Sequence, residues 1–369
     1  MSVYKLFPEK DALIYSETPT ANTGMDEMVE LAGYVDTAGN KKSNRILVQF
    51  SSTEIQDVIV NKIGNNNYSA SIHLYLADAS AVPVNYSVYA YPLSVNWDNG
   101  TGKFGDIPVN TTGVSWTYRS LGGTNPWSTV SFGTGITGSF ISGSEGGGTW
   151  YTGSVGVNME ASQSHEIYSS HDISLNVTNA VKQQYAGTIQ NNGFILKIQD
   201  DIELITSASV RLKYYSRDTN TIYPPSLNIK WDDSVYNTGS LEVLSTDLAT
   251  INVANNRGKY RGQGKQRFRL AARPKFPNRT FSTASIYLTN YALPSASYWG
   301  IKDEHTEEMY IDFDTKFTKI SCDSTGPFFD LYMDGIQPER YYRVLVQTVL
   351  DGSTVLVDNN NVFKVVRNG

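Results

Sequence analysis

Apolar and polar residues alternate in many short stretches along the chain. In one of them, Val210, Leu212 and Tyr214 recur at every second position, which turns one side of the segment toward a core and the other toward solvent. Segments with strand character lie at 45–50, 70–76, 85–91, 193–198 and 208–215. Clusters of turn residues separate them, so the pattern predicts sandwiches or barrels of antiparallel strands.

One short helix is predicted between Asn176 and Gly187. Val177, Val181 and Tyr185 recur there at helical spacing. Asn176 is a suitable cap at the start, and Gly187 is a suitable stop.

The length of 369 residues favours two domains, because one hydrophobic core rarely organises so long a chain. Aromatic residues and glycine are abundant, with 24 Tyr, 14 Phe, 6 Trp and 30 Gly, as is typical of β proteins. We predict an all-β fold: a β-sandwich over 1–235, a linker over 236–256, and a smaller immunoglobulin-like sandwich over 257–369. With the single Cys322, the fold must be stable without an intramolecular disulfide.

The stretch 99–156 is rich in Gly, Ser and Thr but also contains Trp116, Trp127 and Trp150. A disordered linker would lack such residues, because they offer large apolar area to bury. We predict long ordered loops that cross the end or edge of the first sandwich. The three tryptophans either anchor these loops or, together with Tyr151, form an exposed platform that stacks on sugar rings.

The succession of features in the first domain is specific. DALIYSETPTANTG is followed by RILVQF, ASIHLYLADA, VNYSVYAYPLSVNWDNG, HDISLNVTNAVKQQYAG and SVRLKYYSRDTNTIYPPSLNIKW. This order resembles the disaggregatase-related, DNRLRE-type β-sandwich, a jelly-roll module similar to carbohydrate-binding modules. The resemblance implies a jelly roll with a short helix after HDISLNVT, and it implies no catalysis.

The sequence of the second domain differs in character from that of the first. The phrases RPKFPNRTFST and MDGIQPERYYR resemble the carboxy-terminal part of virion structural proteins of T4-like tailed phages, especially those that infect cyanobacteria. Two strands are predicted at the end of the chain, at 341–350 and 362–366, joined by a turn at Asp351-Gly352 and an Asn-rich loop. A further strand is predicted over 310–317, with Asp312 and Asp314 on one face.

Signatures of catalysis are absent from the sequence. His73, His165, His171 and His305 lie in no recognisable motif, and no nucleophile elbow or Cys-His pattern occurs. We predict that the protein is not an enzyme and needs no cofactor. Calcium is the alternative we keep open, because sandwich loops often hold Ca²⁺ through oxygen ligands. Candidate ligands are Asp200, Asp201, Glu203, Asp232 and Asp233.

The sharpest feature is a basic segment from 257 to 279, which has nine basic residues and no acidic one in a chain of net charge −6. Its members are Arg257, Lys259, Arg261, Lys265, Arg267, Arg269, Arg273, Lys275 and Arg279. Alternation predicts a strand with a positive stripe at Lys265, Arg267 and Arg269. Phosphate contacts come from such clusters, but the acidic chain and the lack of a nucleic-acid-binding motif favour protein contact over DNA.

An acidic segment follows, and we expect it to neutralise part of the basic one. It comprises Asp303, Glu304, Glu307, Glu308, Asp312 and Asp314. The surplus positive charge should form an assembly interface with other virion proteins, in several copies per particle.

The sequence therefore favours a non-enzymatic structural protein of a tailed-phage virion, associated with the tail, baseplate or neck. One alternative is an adhesin or receptor-binding component that binds host surface polysaccharide, and another is a head decoration protein. The start MSVYKLFPEKDALIY has no basic and apolar signal-like stretch, so we expect synthesis in soluble form, assembly in the host cytoplasm and no membrane contact.

Overall fold

The computed structural model describes residues 2–83, 85–120, 125–127, 135–139, 146–154, 156–204, 209–278 and 285–367. It is mostly strand, with little helix, and the all-β sandwich fold predicted from the sequence is confirmed. The chain divides into two compact units. Unit 1 comprises Met1–Lys5, Ile63–Tyr68 and Ile229–Gly369, and unit 2 comprises Leu6–Lys62 and Ser69–Asn228.

The first strands are β1 (Ser2–Leu6), β2 (Pro8–Tyr15), β3 (Met28–Val35), β4 (Lys41–Phe50), β5 (Tyr68–Leu74), β6 (Leu76–Ser80), β7 (Asn85–Pro92), β8 (Tyr118–Ser120), β9 (Asn125–Pro126), β10 (Ile136–Ser139), β11 (Trp150–Ser154), β12 (Val157–Asn158) and β13 (Ala161–Glu166). They are followed by β14 (Ile173–Asn176), β15 (Phe194–Ile198), β16 (Val210–Tyr215), β17 (Ser226–Trp231), β18 (Ala249–Val253), β19 (Lys259–Arg261), β20 (Lys265–Pro274), β21 (Ser297–Asp303), β22 (Met309–Ile311), β23 (Ser321–Asp323), β24 (Gly326–Tyr332), β25 (Arg340–Leu350) and β26 (Ser353–Val366).

The α-helices are α1 (Ser52–Asp57), which continues as a π-helical turn, α2 (Thr178–Tyr185) and α3 (Asp200–Leu204). The predicted helix is confirmed as α2. Asn176 Oδ1 accepts hydrogen bonds from the Thr178 backbone N–H and hydroxyl, and Gly187 has a φ of 74° just after the helix. No helix among the described residues is long and apolar enough to span a membrane.

Unit 2 has a jelly-roll-like β architecture around one large antiparallel sheet. The strand order in this sheet is β13-β7-β15-β4-β3-β16-β6, and β2 also pairs with β4. All five residues of β15 are buried, so both faces of the sheet are covered there. The alternating segments of the sequence form β4, β5, β7, β15 and β16, as predicted.

Two tryptophans of the stretch 99–156 are buried in unit 2. Trp127 and Trp150 pack in one buried cluster with Ile195 of β15 and Leu47 of β4, together with Trp97. These two tryptophans therefore share a buried core with the central strands of the large sheet.

Unit 1 is a β-sandwich of two sheets. One has the strand order β18-β20-β24-β23, and the other β19-β26-β25-β21-β22. Aromatic side chains of both sheets meet in a common core, where Phe329 stacks on Phe268 at 5.1 Å and on Trp299 at 4.8 Å between ring centroids. Strand β18 lies inside the stretch predicted as a linker and pairs with β20.

Two predicted details of unit 1 are wrong. The strand expected over 310–317 ends at Ile311, and Asp314 instead accepts backbone hydrogen bonds from Lys316 and Phe317 in the turn that follows. The Asn-rich loop expected near the end is part of the 14-residue strand β26. Within it, Asn360 takes a φ of 53°, which asparagine tolerates better than most residues, and Asn359 donates to the Ile251 carbonyl.

Candidate functional site

The positive stripe on β20 forms as the alternation predicted. Phe268 and Leu270 are buried, while Arg267 is exposed and Arg269 is half-buried. The neighbouring strand places a carboxylate beside the stripe, because Arg267 is the direct cross-strand partner of Asp330. Arg267 Nε and Nη2 donate to the two oxygens of Asp330 at 2.8 and 3.0 Å.

The other two members of the stripe are also paired. Arg269 donates from Nη1 and Nη2 to the two oxygens of Asp323, at 2.7 Å each. Lys265 Nζ lies 3.0 Å from Asp330 Oδ2 and 3.6 Å from Asp233 Oδ2. The stripe is therefore largely neutralised within unit 1.

The pKa values of both aspartates reflect this pairing. Burial opposes ionisation of Asp330, but hydrogen bonds from Arg267 and Lys265 outweigh it and lower its pKa. The hydrogen bonds from Arg269 hold the pKa of Asp323 well below its usual range. Both carboxylates are thus charged at neutral pH.

The acidic segment predicted to neutralise the basic one has other partners. Asp303 Oδ2 accepts from Arg340 Nε at 2.8 Å, and Glu304 Oε2 accepts from Arg343 Nε at 2.8 Å. Arg343 also donates to Glu307 at 2.6 Å. The reason is register, since β21 lies beside β25 and brings these arginines next to the acidic residues.

Part of the basic segment remains uncompensated. Arg257, Lys259 and Arg261 are exposed, and the structure shows no ion pair for them among the residues it describes. Lys259 and Arg261 lie on β19, the outermost strand of its sheet, which pairs in parallel with β26. Charged side chains on an edge strand discourage pairing with a foreign strand.

A second uncompensated group combines cations with exposed apolar side chains. We call Arg273, Lys275, Phe276, Tyr287 and Leu288 the aromatic-basic patch. The Arg273 guanidinium lies over the Tyr287 ring at 5.1 Å, and Lys275 Nζ lies 5.8 Å from the centroid of Phe276. Phe276 is 73% exposed, Tyr287 59% and Leu288 83%. Arg279, the last member of the predicted interface, lies outside the described residues.

The aromatic residues considered as a sugar platform are largely occupied by other groups. The Arg45 guanidinium carbon lies over the rings of Trp116 and Trp150, at 5.0 and 5.3 Å from their centroids. Trp127 is only 1% exposed, and its indole N–H donates to the Ser115 carbonyl. These contacts are those expected of loop anchors. Tyr151 is half-buried, and burial raises its pKa.

The close contact between this loop and Arg45 requires a glycine at position 147. Gly147 has a φ of 87°, and its carbonyl accepts from Arg45 Nη1 at 2.6 Å. A Cβ at this position would lie 2.8 Å from that nitrogen and 3.0 Å from the Trp116 ring. Only glycine suits both the left-handed backbone and the close approach.

Two of the acids considered for calcium belong to the same buried network. Glu203 accepts from Arg45 Nε and Nη2, at 3.1 and 2.7 Å, and lies 3.1 Å from Lys197 Nζ. Asp200 also pairs with Lys197, and Asp201 is exposed. Glu203 and Asp200 are thus already paired with cations.

The acids near the end of β17 are separate from this network. Asp232 Oδ1 accepts from the Ser234 backbone and hydroxyl, and Asp233 pairs with Lys265. Among the described residues, no group of three His, Cys, Asp or Glu side chains is arranged to hold a metal ion.

Sequence reasoning missed a cluster of two histidines in unit 2. His165 stacks on the Tyr86 ring at 4.9 Å, and the Tyr86 hydroxyl lies 2.7 Å from His171 Nδ1. Burial lowers the pKa of His165. The short interval between the two histidines was a signal, but neither matched a motif. Their contacts are with aromatic and backbone groups, as in ordinary core packing.

No protein-family model matches the chain, and no curated protein matches it significantly.

Proposed function

We propose that this chain is a non-enzymatic structural protein of a tailed-phage virion, associated with the tail, baseplate or neck. In this proposal, unit 1 docks the protein to a neighbouring protein that presents carboxylates. The virion assignment rests on the resemblance of residues 257–369 to virion proteins of T4-like phages. The docking surface rests on the aromatic-basic patch.

The aromatic-basic patch is the single observation that carries the docking proposal. Phe276, Tyr287 and Leu288 leave a large fraction of their apolar surface in water. Burying such surface in an interface is favourable, by about 25 cal/mol per Å². Aromatic residues and arginine are also the types most enriched where interfaces are strongest.

Charge indicates the chemistry of the partner. Lys265, Arg267 and Arg269 are already paired with aspartates inside unit 1, so they offer little to a neighbour. Arg273 and Lys275 have no carboxylate within ion-pair distance among the described residues. A carboxylate-bearing partner would complement their charge.

The exposed cations at 257–261 would contribute to docking in a second way. They add to the positive field of unit 1 and so favour an acidic partner during encounter, a contribution that salt weakens. Their position on and before the edge strand β19 also protects that edge from pairing with another strand.

The test uses an infection in which the chain is supplied only from a complementing gene. Purified particles should contain the wild-type chain at a fixed copy number by mass spectrometry. The double variant Arg273→Glu and Lys275→Glu, and separately Phe276→Ser with Tyr287→Ser, should fold normally but be excluded from particles. The matched control is Lys316→Glu, an exposed lysine of unit 1 outside the patch.

The two parts of the proposal fail separately. Particles that lack the wild-type chain would overturn the virion assignment. Particles that incorporate the patch variants as well as the control would overturn the docking surface and leave the assignment standing.

A further inference from the structure

A turn of unit 2 exposes apolar side chains between two carboxylates. It runs over residues 166–172, from the last residue of β13 to the residue before β14, and we call it the acidic turn. Glu166 and Asp172 lie at its two ends. Between them, Tyr168 is 97% exposed and Ile167 is 42% exposed.

The two carboxylates of the acidic turn are not paired with cations. Both residues are exposed, and no lysine or arginine lies within ion-pair distance of either among the residues that the structure describes. Asp172 Oδ1 accepts from the Leu76 backbone N–H at 2.7 Å, which fixes the carboxylate but leaves its charge uncompensated. The turn therefore presents negative charge that unit 2 does not neutralise.

Hydrogen bonds within the turn hold its tip in place. The Ser169 backbone N–H donates to the Glu166 carbonyl at 2.9 Å, and the Glu166 backbone N–H donates to the Ser169 hydroxyl at 3.0 Å. Ile167 and Tyr168 are the two residues that this closed turn presents. A loop that is already ordered loses less conformational entropy when it binds a partner.

The acidic turn is complementary to the aromatic-basic patch of unit 1. Both surfaces combine exposed apolar side chains with uncompensated charge, and the charges have opposite sign. Opposite potentials orient two surfaces as they meet, and burying the apolar side chains on both sides adds affinity. Exposed ion pairs contribute little by themselves, so the apolar residues are an essential part of the match.

Another exposed apolar segment of unit 2, at Phe104 and Ile107, is a weaker match for the patch. Lys103 Nζ lies 3.8 Å from Glu27 Oε1, so a cation already accompanies the acidic residues there. That cation would oppose Arg273 and Lys275 of the patch. The acidic turn has no such cation.

We propose that the partner of the aromatic-basic patch is the acidic turn of a second copy of this chain, an inference that rests on the docking surface proposed above. Ile167 and Tyr168 of one copy cover the apolar side chains of the patch on the next copy. Glu166 and Asp172 then lie opposite the cations of the patch. The contact joins two different surfaces, so it can be repeated from one copy to the next.

Sedimentation velocity of the purified full chain tests this contact. The wild-type chain should associate reversibly as its concentration rises to about 200 µM, and less so in high salt, which screens the charges. Glu166→Lys and Lys275→Glu should each weaken association by about tenfold, because each places like charges opposite one another. Tyr168→Ala should also weaken it by about tenfold, with an unchanged melting temperature because the side chain is exposed.

A mixture of the two charge-reversal variants provides the sharpest test. Copies of Glu166→Lys alone bring cations together at every contact, and copies of Lys275→Glu alone bring carboxylates together. In an equimolar mixture, the altered turn can meet the altered patch, and the unaltered turn can meet the unaltered patch. Association should therefore return in the mixture.

Matched controls change exposed residues outside both surfaces. Asp201→Lys is the control for Glu166→Lys, and Lys316→Glu is the control for Lys275→Glu. Tyr185→Ala, which removes an exposed tyrosine of α2, is the control for Tyr168→Ala. All three should associate as the wild-type chain does.

Three results would each overturn the contact between copies. They are a wild-type chain that stays monomeric at every concentration, reversal variants that associate as well as their controls, and a mixture of the two variants that stays monomeric. Association that is weakened by Lys275→Glu but not by Glu166→Lys would show that the second copy uses another surface, and it would overturn the role of the acidic turn.

The inference and the docking proposal fail separately. A monomeric chain whose patch variants are excluded from particles would keep the docking surface and assign it to another protein. Association that follows the expected pattern, in a chain that is absent from particles, would keep the contact between copies and overturn the virion assignment.

Discussion

Arg267 on β20 and Asp330 on β24 face each other across the sheet, joined by two parallel hydrogen bonds of 2.8 and 3.0 Å. Asp330 is buried and also meets Lys265 at 3.0 Å. The positive stripe on β20 therefore belongs to an ion-pair network within unit 1. We therefore expect changes to these charges to alter the stability of unit 1.

Reversing the charge of Arg267 should destabilise unit 1. Arg267→Glu places a carboxylate beside the buried Asp330 and removes both hydrogen bonds. We expect a loss of about 2 kcal/mol, less than for a fully buried pair because Arg267 is half exposed to solvent. Urea denaturation measures it, and Arg257→Glu, which breaks no ion pair, should stay within about 0.5 kcal/mol of wild type. Equal midpoints for the two variants would contradict the pairing.

Neutralising Glu203 should destabilise unit 2. Glu203→Gln removes the carboxylate that the partly buried Arg45 and the buried Lys197 share and leaves Lys197 with Asp200 alone, and breaking a buried pair costs about 3–5 kcal/mol. Thermal denaturation should show the loss as a lower melting temperature. Glu166→Gln, at an exposed position on β13, is the control. A Glu203→Gln protein as stable as this control would show that the network contributes nothing net.

The stability of unit 2 should depend on the protonation of Asp11. Burial raises the pKa of Asp11 to about 7, although the Arg217 backbone N–H donates to it at 2.6 Å. In the unfolded chain, an aspartate has a pKa of about 3.9. Because the folded value is higher, the contribution of Asp11 is full below about pH 4 and is lost as pH rises toward about 7.

Asp11→Asn should remove this pH dependence. The variant is expected to be more stable than wild type at pH 8 and to show a flatter profile between pH 4 and 7 in urea titrations. Asp201→Asn, at an exposed position, is the matched control. Its stability should depend on pH in the same way as that of wild type. Parallel profiles for wild type and Asp11→Asn would refute the assignment.

Much of the secondary structure follows from local periodicity. Val210, Leu212 and Tyr214 are buried on β16 as their spacing predicts, and the helix between Asn176 and Gly187 forms as expected. These features depend on nearest neighbours along the chain. A single sequence contains that information.

Pairing between distant residues could not be predicted in the same way. The acidic segment near 303 seemed the natural partner of the basic one because it follows it in sequence. Instead, strand register brings Asp330 to Arg267 and Arg340 to Asp303. Which strands are neighbours is a property of the whole sandwich.

The single cysteine offers a way to observe the two units separately. Cys322 is buried on β23, and burial raises the pKa of its thiol, so a thiol-modifying reagent can reach it only when the surrounding strands open. No other thiol exists in the chain. The rate at which the native protein is chemically labelled therefore measures how often unit 1 opens. It gives no information about unit 2.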